Sequence, residues 1–271
     1  MQTVVVTDSS AVTDPAPHLQ VVPVTLLFPD GEVTDHRGAT DRVVRAVEQR
    51  LPVKSRAPSI VDYVEAVEAS EADAAVIITP AAELTTMWRN ATNAVYLSDR
   101  PIAVVDSRSA AAGQALVVEA ARQCAADRGT LADVVAAAEN AARRVRLIAT
   151  VPSAGPIASS GLLPADRVRQ VRGGRNPLFR FAGGSIEVAR VTPDGTDPAA
   201  ALADLWLAEG GMPGEPMTVF TTAGSEDVGA RLASAIGAGP PEPASAVMMV
   251  YAGTGVVGLA WLNGATGTTN R

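Results

Sequence analysis

The sequence predicts an α/β protein of two domains. Residues 1–145 form a parallel, doubly wound sheet, and residues 146–271 form an α+β domain with a mixed sheet. Three observations predict this. Two apolar, β-branched runs break into acidic, hydroxyl-rich loops: Val4-Val5-Val6-Thr7-Asp8-Ser9-Ser10 and Ile102-Ala103-Val104-Val105-Asp106-Ser107-Arg108-Ser109. Such runs are what strands buried on both faces of a parallel sheet look like, and ligand groups gather at their carboxyl ends. Strand-like and helix-like segments then alternate up to about residue 145, the pattern of βαβ units. Beyond that point strands lie next to one another with fewer helices between them, as in an α+β domain.

In the first part, Gln2–Thr7 and Val21–Phe28 read as strands. Thr40–Leu51 reads as a helix capped by Thr40 or Asp41, with Val43, Val44, Val47 and Leu51 on one face. Ser59-Ile60-Val61-Asp62 is a capping box that opens a helix to about Ala69, because its hydroxyl and carboxylate satisfy each other's backbone N–H groups. Ala74–Thr79 is a buried-strand run, followed by a helix over Glu83–Leu97, the strand Ile102–Val105 and a long alanine-rich helix over Ala110–Ala126. Thr130-Leu131-Ala132-Asp133 is a second capping box, for a helix to about Val145.

In the second part, Arg146–Val151 reads as a strand, Pro152–Gly161 as a Pro/Gly/Ser-rich stretch and Arg167–Arg175 as a basic loop. Leu178–Ala182 and Ser185–Thr192 flank Gly183-Gly184, the signature of a hairpin with a primed turn. Asp197-Pro198 starts a helix to about Glu209, since proline suits the first helical position. Met217–Thr222 reads as a strand and Ser225–Ile236 as a helix. Ala246–Tyr251 and Val256–Leu262 read as two final strands around Gly253-Thr254-Gly255, and Asn263–Arg271 as a frayed tail.

Composition narrows the function. The net charge of −7 argues against nucleic-acid binding, which needs a basic surface. With one cysteine, Cys124, and two histidines, His18 and His36, the chain has no internal disulfide and no zinc-type ligand spacing. No apolar run is long enough to span a membrane and no signal peptide is legible, so a cytoplasmic location is expected. Gly253-Thr254-Gly255-Val256-Val257-Gly258 has the glycine spacing of a dinucleotide fingerprint but runs into a strand where that motif needs a helix, so it reads as a tight turn, and nothing resembles a nucleophile elbow. Asp8 after the first strand suits a phosphatase nucleophile. That chemistry wants a second acid two residues on, where Ser10 stands, and further carboxylates for Mg²⁺.

Four segments carry a resemblance to a known family. They are Val6-Thr7-Asp8-Ser9-Ser10-Ala11 followed by Val22-Pro23-Val24; Ser55-Arg56-Ala57-Pro58-Ser59 with Asp62-Tyr63; Val105-Asp106-Ser107-Arg108-Ser109 with Gly113; and Gly255-Val256-Val257-Gly258-Leu259-Ala260-Trp261. In this order the chain resembles the DegV family, bacterial two-domain α/β proteins that bind fatty acids. Several of them are the acyl-carrying subunit of fatty acid kinase, which feeds phospholipid metabolism. The resemblance marks a divergent member. The family's Ser-Ser-Gly-Leu-Ser-Gly-Thr aligns with Ala81-Ala82-Glu83-Leu84-Thr85-Thr86-Met87. Its basic Arg-Lys-Gly-Gly-Arg aligns with Ala158-Ser159-Ser160-Gly161-Leu162, and its His-Thr-Gly-Pro-Gly with Tyr251-Ala252-Gly253-Thr254-Gly255.

The resemblance implies a DegV-like fold and a long-chain fatty acid in a buried apolar tunnel. The carboxylate is held by hydroxyl groups and presented to a fatty acid kinase partner. It implies no catalysis by this chain and no cofactor besides the bound acid. Ser55 aligns with a carboxylate-holding threonine, Thr85 with the later serine and Tyr251 with the histidine. A hydroxyl closing a loop turn, a first-turn helix residue and a locally bonded aromatic are the structural alternatives. Arg56 and Arg89 are candidates to replace the lost positive charge, against simple solvation. Asp8, Ser9, Ser10, Asp106, Ser107 and Ser109 read as loop braces, with Arg108 pairing Asp8 or Asp106. Two alternatives stand beside the carrier reading: a DegV-like protein for another small ligand, and a phosphatase or phosphotransferase centred on Asp8.

Overall fold

The computed structural model describes residues 2–171 and 176–264. The chain opens with β1 (Thr3–Asp8), β2 (Leu19–Val22), β3 (Thr25–Phe28), β4 (Gly31–Thr34), α1 (Thr40–Glu48) and β5 (Lys54–Arg56). A regular alternation follows: α2 (Ile60–Glu68), β6 (Ala74–Thr79), α3 (Met87–Ala94), β7 (Ile102–Asp106), α4 (Ala111–Ala126), α5 (Leu131–Arg144) and β8 (Val145–Thr150). The remainder is α6 (Gly155–Ser159), α7 (Ala165–Val171), β9 (Leu178–Ala182), β10 (Ser185–Arg190), α8 (Pro198–Ala208), β11 (Met217–Thr221), α9 (Glu226–Ile236), β12 (Glu242–Pro243), α10 (Ala246–Ala252) and β13 (Val257–Leu262).

These strands build three sheets. The first is wholly parallel, in the order β2-β1-β6-β7, and β1 and β6 are buried along their whole length. The second is mixed, in the order β10-β9-β8-β13-β11-β12; only β12 runs parallel to its neighbour. The α/β class with a parallel first sheet and a mixed last sheet is therefore the observed one. The third is a small antiparallel sheet, β4-β3-β5.

α4 lies between the two large sheets, touching β1 and β6 on one side and β8, β11 and β13 on the other. Its alanines make this possible: Ala111, Ala112, Ala121 and Ala125 are all buried, and a helix apolar all round suits an interior position. Both capping boxes form, Ser59 with Asp62 and Thr130 with Asp133. Gly183 and Gly184 have φ of 59° and 89°, the left-handed pair that a primed hairpin turn requires.

Several expectations are corrected. Val21–Phe28 is two strands in two different sheets, because Pro23 has no N–H to continue a ladder. α1 ends at Glu48 and has no side-chain cap from Thr40 or Asp41; Val43 is buried but Val47 and Leu51 are exposed. α3 begins only at Met87, after a turn over 82–84. The stretch 152–161 contains α6, and the first part of the basic loop is α7; residues 172–175 and 265–271 lie outside the described residues. Ala246–Tyr251 belongs to a helix, α10, so Gly253-Thr254-Gly255 joins a helix to a strand.

Candidate functional site

Two of the candidate residues meet although 196 positions separate them: Ser55 Oγ and Tyr251 Oη lie 2.6 Å apart, partly buried. Ser55 is the middle residue of β5, where it pairs with Leu26 of β3. Side chains alternate across a strand, so Ser55 turns inward while Lys54 and Arg56 turn to solvent. Tyr251 comes from the last turn of α10. Beside the pair is an apolar cluster of Val24, Leu26, Val43, Met87, Val247 and Met249. The hydroxyl pair thus borders aliphatic and thioether side chains, the latter able to adapt their shape.

The other candidates do not join the pair. Arg56 makes a two-bonded ion pair with Glu32 of β4, at 2.9 and 2.7 Å on the solvent side. Arg89 is exposed because Met87, Ala91 and Ala94 form the buried face of α3. Thr85 is half-buried and its hydroxyl accepts the Met87 N–H at 3.3 Å, bracing the start of α3. Met87, two residues on, belongs to the cluster beside Tyr251.

The two Asp-Ser loops are braces. Asp8 is fully buried and its carboxylate accepts from Ser10 Oγ, from Ser10 N at 3.0 Å and from Gln114 Nε2 at 2.9 Å. Gln114 also donates to Thr7 Oγ1 at 3.0 Å, which ties α4 to β1. Burial pushes the Asp8 carboxyl above the usual carboxylate range, against the pull of these donors. A closed, donor-filled carboxylate offers no approach to a phosphate ester. In the second loop the Arg108 main-chain N–H, in place of its guanidinium, donates to Asp106 at 2.7 Å, and Ser107 and Ser109 bond each other.

Sequence reasoning missed Gln114 and Asp35. The signal for Gln114 is that it is the one polar side chain between Ala110 and Val118. Asp35, the residue after β4, is only 4% exposed. It accepts from Ser9 Oγ at 2.8 Å and from Val247 N at 3.3 Å, and burial raises its carboxyl to about 6. Nothing in its polar surroundings, Thr34-Asp35-His36, marked it as buried.

A cleft of about 800 Å³ opens elsewhere, lined among others by Ser9, Asp35, His36, Asp41, Glu119 and Ser245; Ser55, Thr85 and Tyr251 are not in its lining. Among the described residues no cluster of His, Cys, Asp or Glu is arranged to hold a metal ion, and no helix is long and apolar enough to cross a membrane.

The family model described as "Uncharacterised protein, DegV family" matches residues 2–264. The chain belongs to the DegV family. Its fold is that of solved DegV structures. A Thermus thermophilus DegV family protein described by its fatty acid binding superposes with a TM-score of 0.83 at 21% identity, over 97% of this chain and 100% of that one. The Streptococcus pneumoniae fatty acid kinase B3 protein, loaded with linoleic acid, gives 0.83 at 19% identity over 97% and 100%. A Eubacterium eligens DegV protein loaded with heptadecanoic acid gives 0.82 at 16% identity, again over 97% and 100%. No curated protein matches the sequence. In this DegV chain Ser55 and Tyr251 bond each other, without a basic side chain bonded to them among the described residues.

Proposed function

We propose that this DegV protein is a cytoplasmic, non-catalytic carrier of a long-chain fatty acid. The acid's carboxylate lies at Ser55 and Tyr251, with Thr85 at the margin and Arg56 and Arg89 outside the site. The two-domain division at residues 145/146 is part of this proposal. The observation that carries it is the 2.6 Å Ser55–Tyr251 contact beside the cluster of Leu26, Met87, Val247 and Met249. The acyl chains bound by its structural neighbours support it. Each methylene taken from water contributes roughly 0.8 kcal/mol, so the chain supplies affinity and the hydroxyls supply orientation. Hydroxyl donors hold a carboxylate without the tight ion pair an arginine would form, which suits hand-over to a fatty acid kinase. No cofactor besides the acid is needed.

Extraction of the purified protein with organic solvent, followed by mass spectrometry, should return a fatty acid. No acyl ligand, together with no thermal stabilisation by added oleate, would refute the reading. Among the described residues no cation is bonded to the pair, which favours one second reading, a lipid with an uncharged head. Oleyl alcohol binding more tightly than oleate would select it.

A further inference from the structure

We propose that Asp35 is a positioning residue for the head-group pair: by pinning the first turn of α10 it sets Tyr251 against Ser55. This rests on the reading of Ser55 and Tyr251 as the head-group site and adds a residue to it. α10 is fastened at both ends to the small β4-β3-β5 sheet. At its far end Tyr251 Oη meets Ser55 Oγ of β5 at 2.6 Å. At its near end the carboxylate that follows β4 accepts the Val247 N–H at 3.3 Å.

The local cap does not do this work. Ser245 sits at the N-cap with extended backbone, yet its buried hydroxyl has no hydrogen-bond partner. Asp35 is itself held firmly. Its N–H donates to Val24 O at 2.6 Å, Ser9 Oγ donates to its carboxylate at 2.8 Å, and the same Ser9 Oγ accepts the Val24 N–H at 2.9 Å. With seven residues α10 is far shorter than a helix that stands alone. Its place is therefore set from outside the helix: by these two fastenings, by packing on α1 and α6, and by Val247 and Met249 in the cluster with Val24, Leu26 and Met87.

A pH dependence follows with a definite sign. Burial raises the Asp35 carboxyl to about 6, the Ser9 and α10 donors oppose the rise, and the Asp8 charge adds to it. The other titratable groups lining the cleft that Asp35 lines are His36 after β4, Asp41 in the first turn of α1, Asp14 after β1, Glu119 of α4 and Glu242 of β12. Tyr251 is the only titratable residue on α10. If α10 lifts, Asp35 meets water and returns toward the ordinary carboxylate range. The pinned arrangement thus takes up a proton more readily than the lifted one. Acidification through pH 6 holds α10 down, and a rise toward neutral loosens it.

The test uses the full chain labelled with 3-fluorotyrosine. The sequence has three tyrosines, and the Tyr251 fluorine resonance is identified by its loss in Tyr251→Phe. In the wild type it should move between pH 5 and 7.5 with a midpoint near 6. In Asp35→Asn, a neutral isostere that can still accept the α10 N–H, it should stay flat. In Asp35→Ala it should move to the position that Ser55→Ala gives, and oleate affinity at pH 7.5 should fall by about tenfold, the size of one lost charged hydrogen bond. An unchanged profile in Asp35→Asn, or a wild-type position in folded Asp35→Ala, overturns the proposal. Failure of oleate to bind any variant refutes the fatty-acid reading alone, and the fluorine profile still decides the role of Asp35.

Discussion

Ser55 and Arg56 are neighbours in sequence and opposites in space. The alternation of β5 sends the hydroxyl inward to Tyr251 and the guanidinium outward to Glu32. Removing either hydroxyl should therefore weaken oleate binding. For Ser55→Ala and Tyr251→Phe the expected loss is about 10- to 100-fold each, one hydrogen bond to a charged group. The double variant should lose less than the sum, since the two hydroxyls act on one head. Arg56→Ala should change the affinity less than twofold, because an exposed ion pair contributes little; calorimetric titration checks all four. At a second site a missing side chain is the constraint. A Cβ on Gly113 of α4 would stand 2.0 Å from Ser109 Oγ and 3.4 Å from Val145 Cγ2. Gly113→Ala should destabilise the fold by about 1–3 kcal/mol in urea unfolding, the usual range for overpacking.

Elements divide by where their determinants lie. The strands β1, β6 and β7 and the helices α2 and α5 were legible, because a buried apolar run or a capping box is local chemistry. α10 was not legible. Ala246-Val247-Met248-Met249-Val250-Tyr251 is a short apolar run, and periodicity does not separate a buried strand from a buried helix at that length. Its cap comes from Asp35, more than 200 residues earlier. β3, β4 and β5 are four, four and three residues long, and only their mutual pairing defines them. The same holds for the site. Ser55 and Tyr251 were named as candidates through the family resemblance, and the structure brings the two side chains together. That Arg56 faces away depended on β5, which the sequence pattern did not reveal. Arg100 shows an element finished from a distance in the same way. Its guanidinium donates to the carbonyls of Val67, Ser70 and Ala72 at 2.9, 2.6 and 2.9 Å, completing the end of α2. Arg100→Ala should lower stability by about 1.5–3 kcal/mol, since several carbonyls lose a charged donor; chemical denaturation measures it.

Across the whole molecule, buried polar side chains tie the parts that apolar packing alone would leave free to slide. Gln114 joins α4 to β1 through Asp8 and Thr7, and α4 in turn packs on the mixed sheet. Asp35 joins the small sheet, the loop after β1 and α10. Burial raises both carboxyls, so the folded chain binds their protons more readily than the unfolded chain does. Stability then falls as pH rises through that window, and for Asp35 the window runs from the ordinary carboxylate value of 3.8 to about 6. Glu119, held low mainly by Arg122, works in the opposite sense and loses its contribution only below its ordinary value. The melting temperature of the wild type should therefore rise as pH falls from 7.5 toward 5. Asp35→Asn removes the buried charge at every pH. Its stability relative to wild type should be larger at pH 7.5 than at pH 5 by about 1 kcal/mol, as expected for a two-unit rise sampled over that interval. A constant difference between the two proteins would mean that Asp35 titrates in the fold as it does in the unfolded chain.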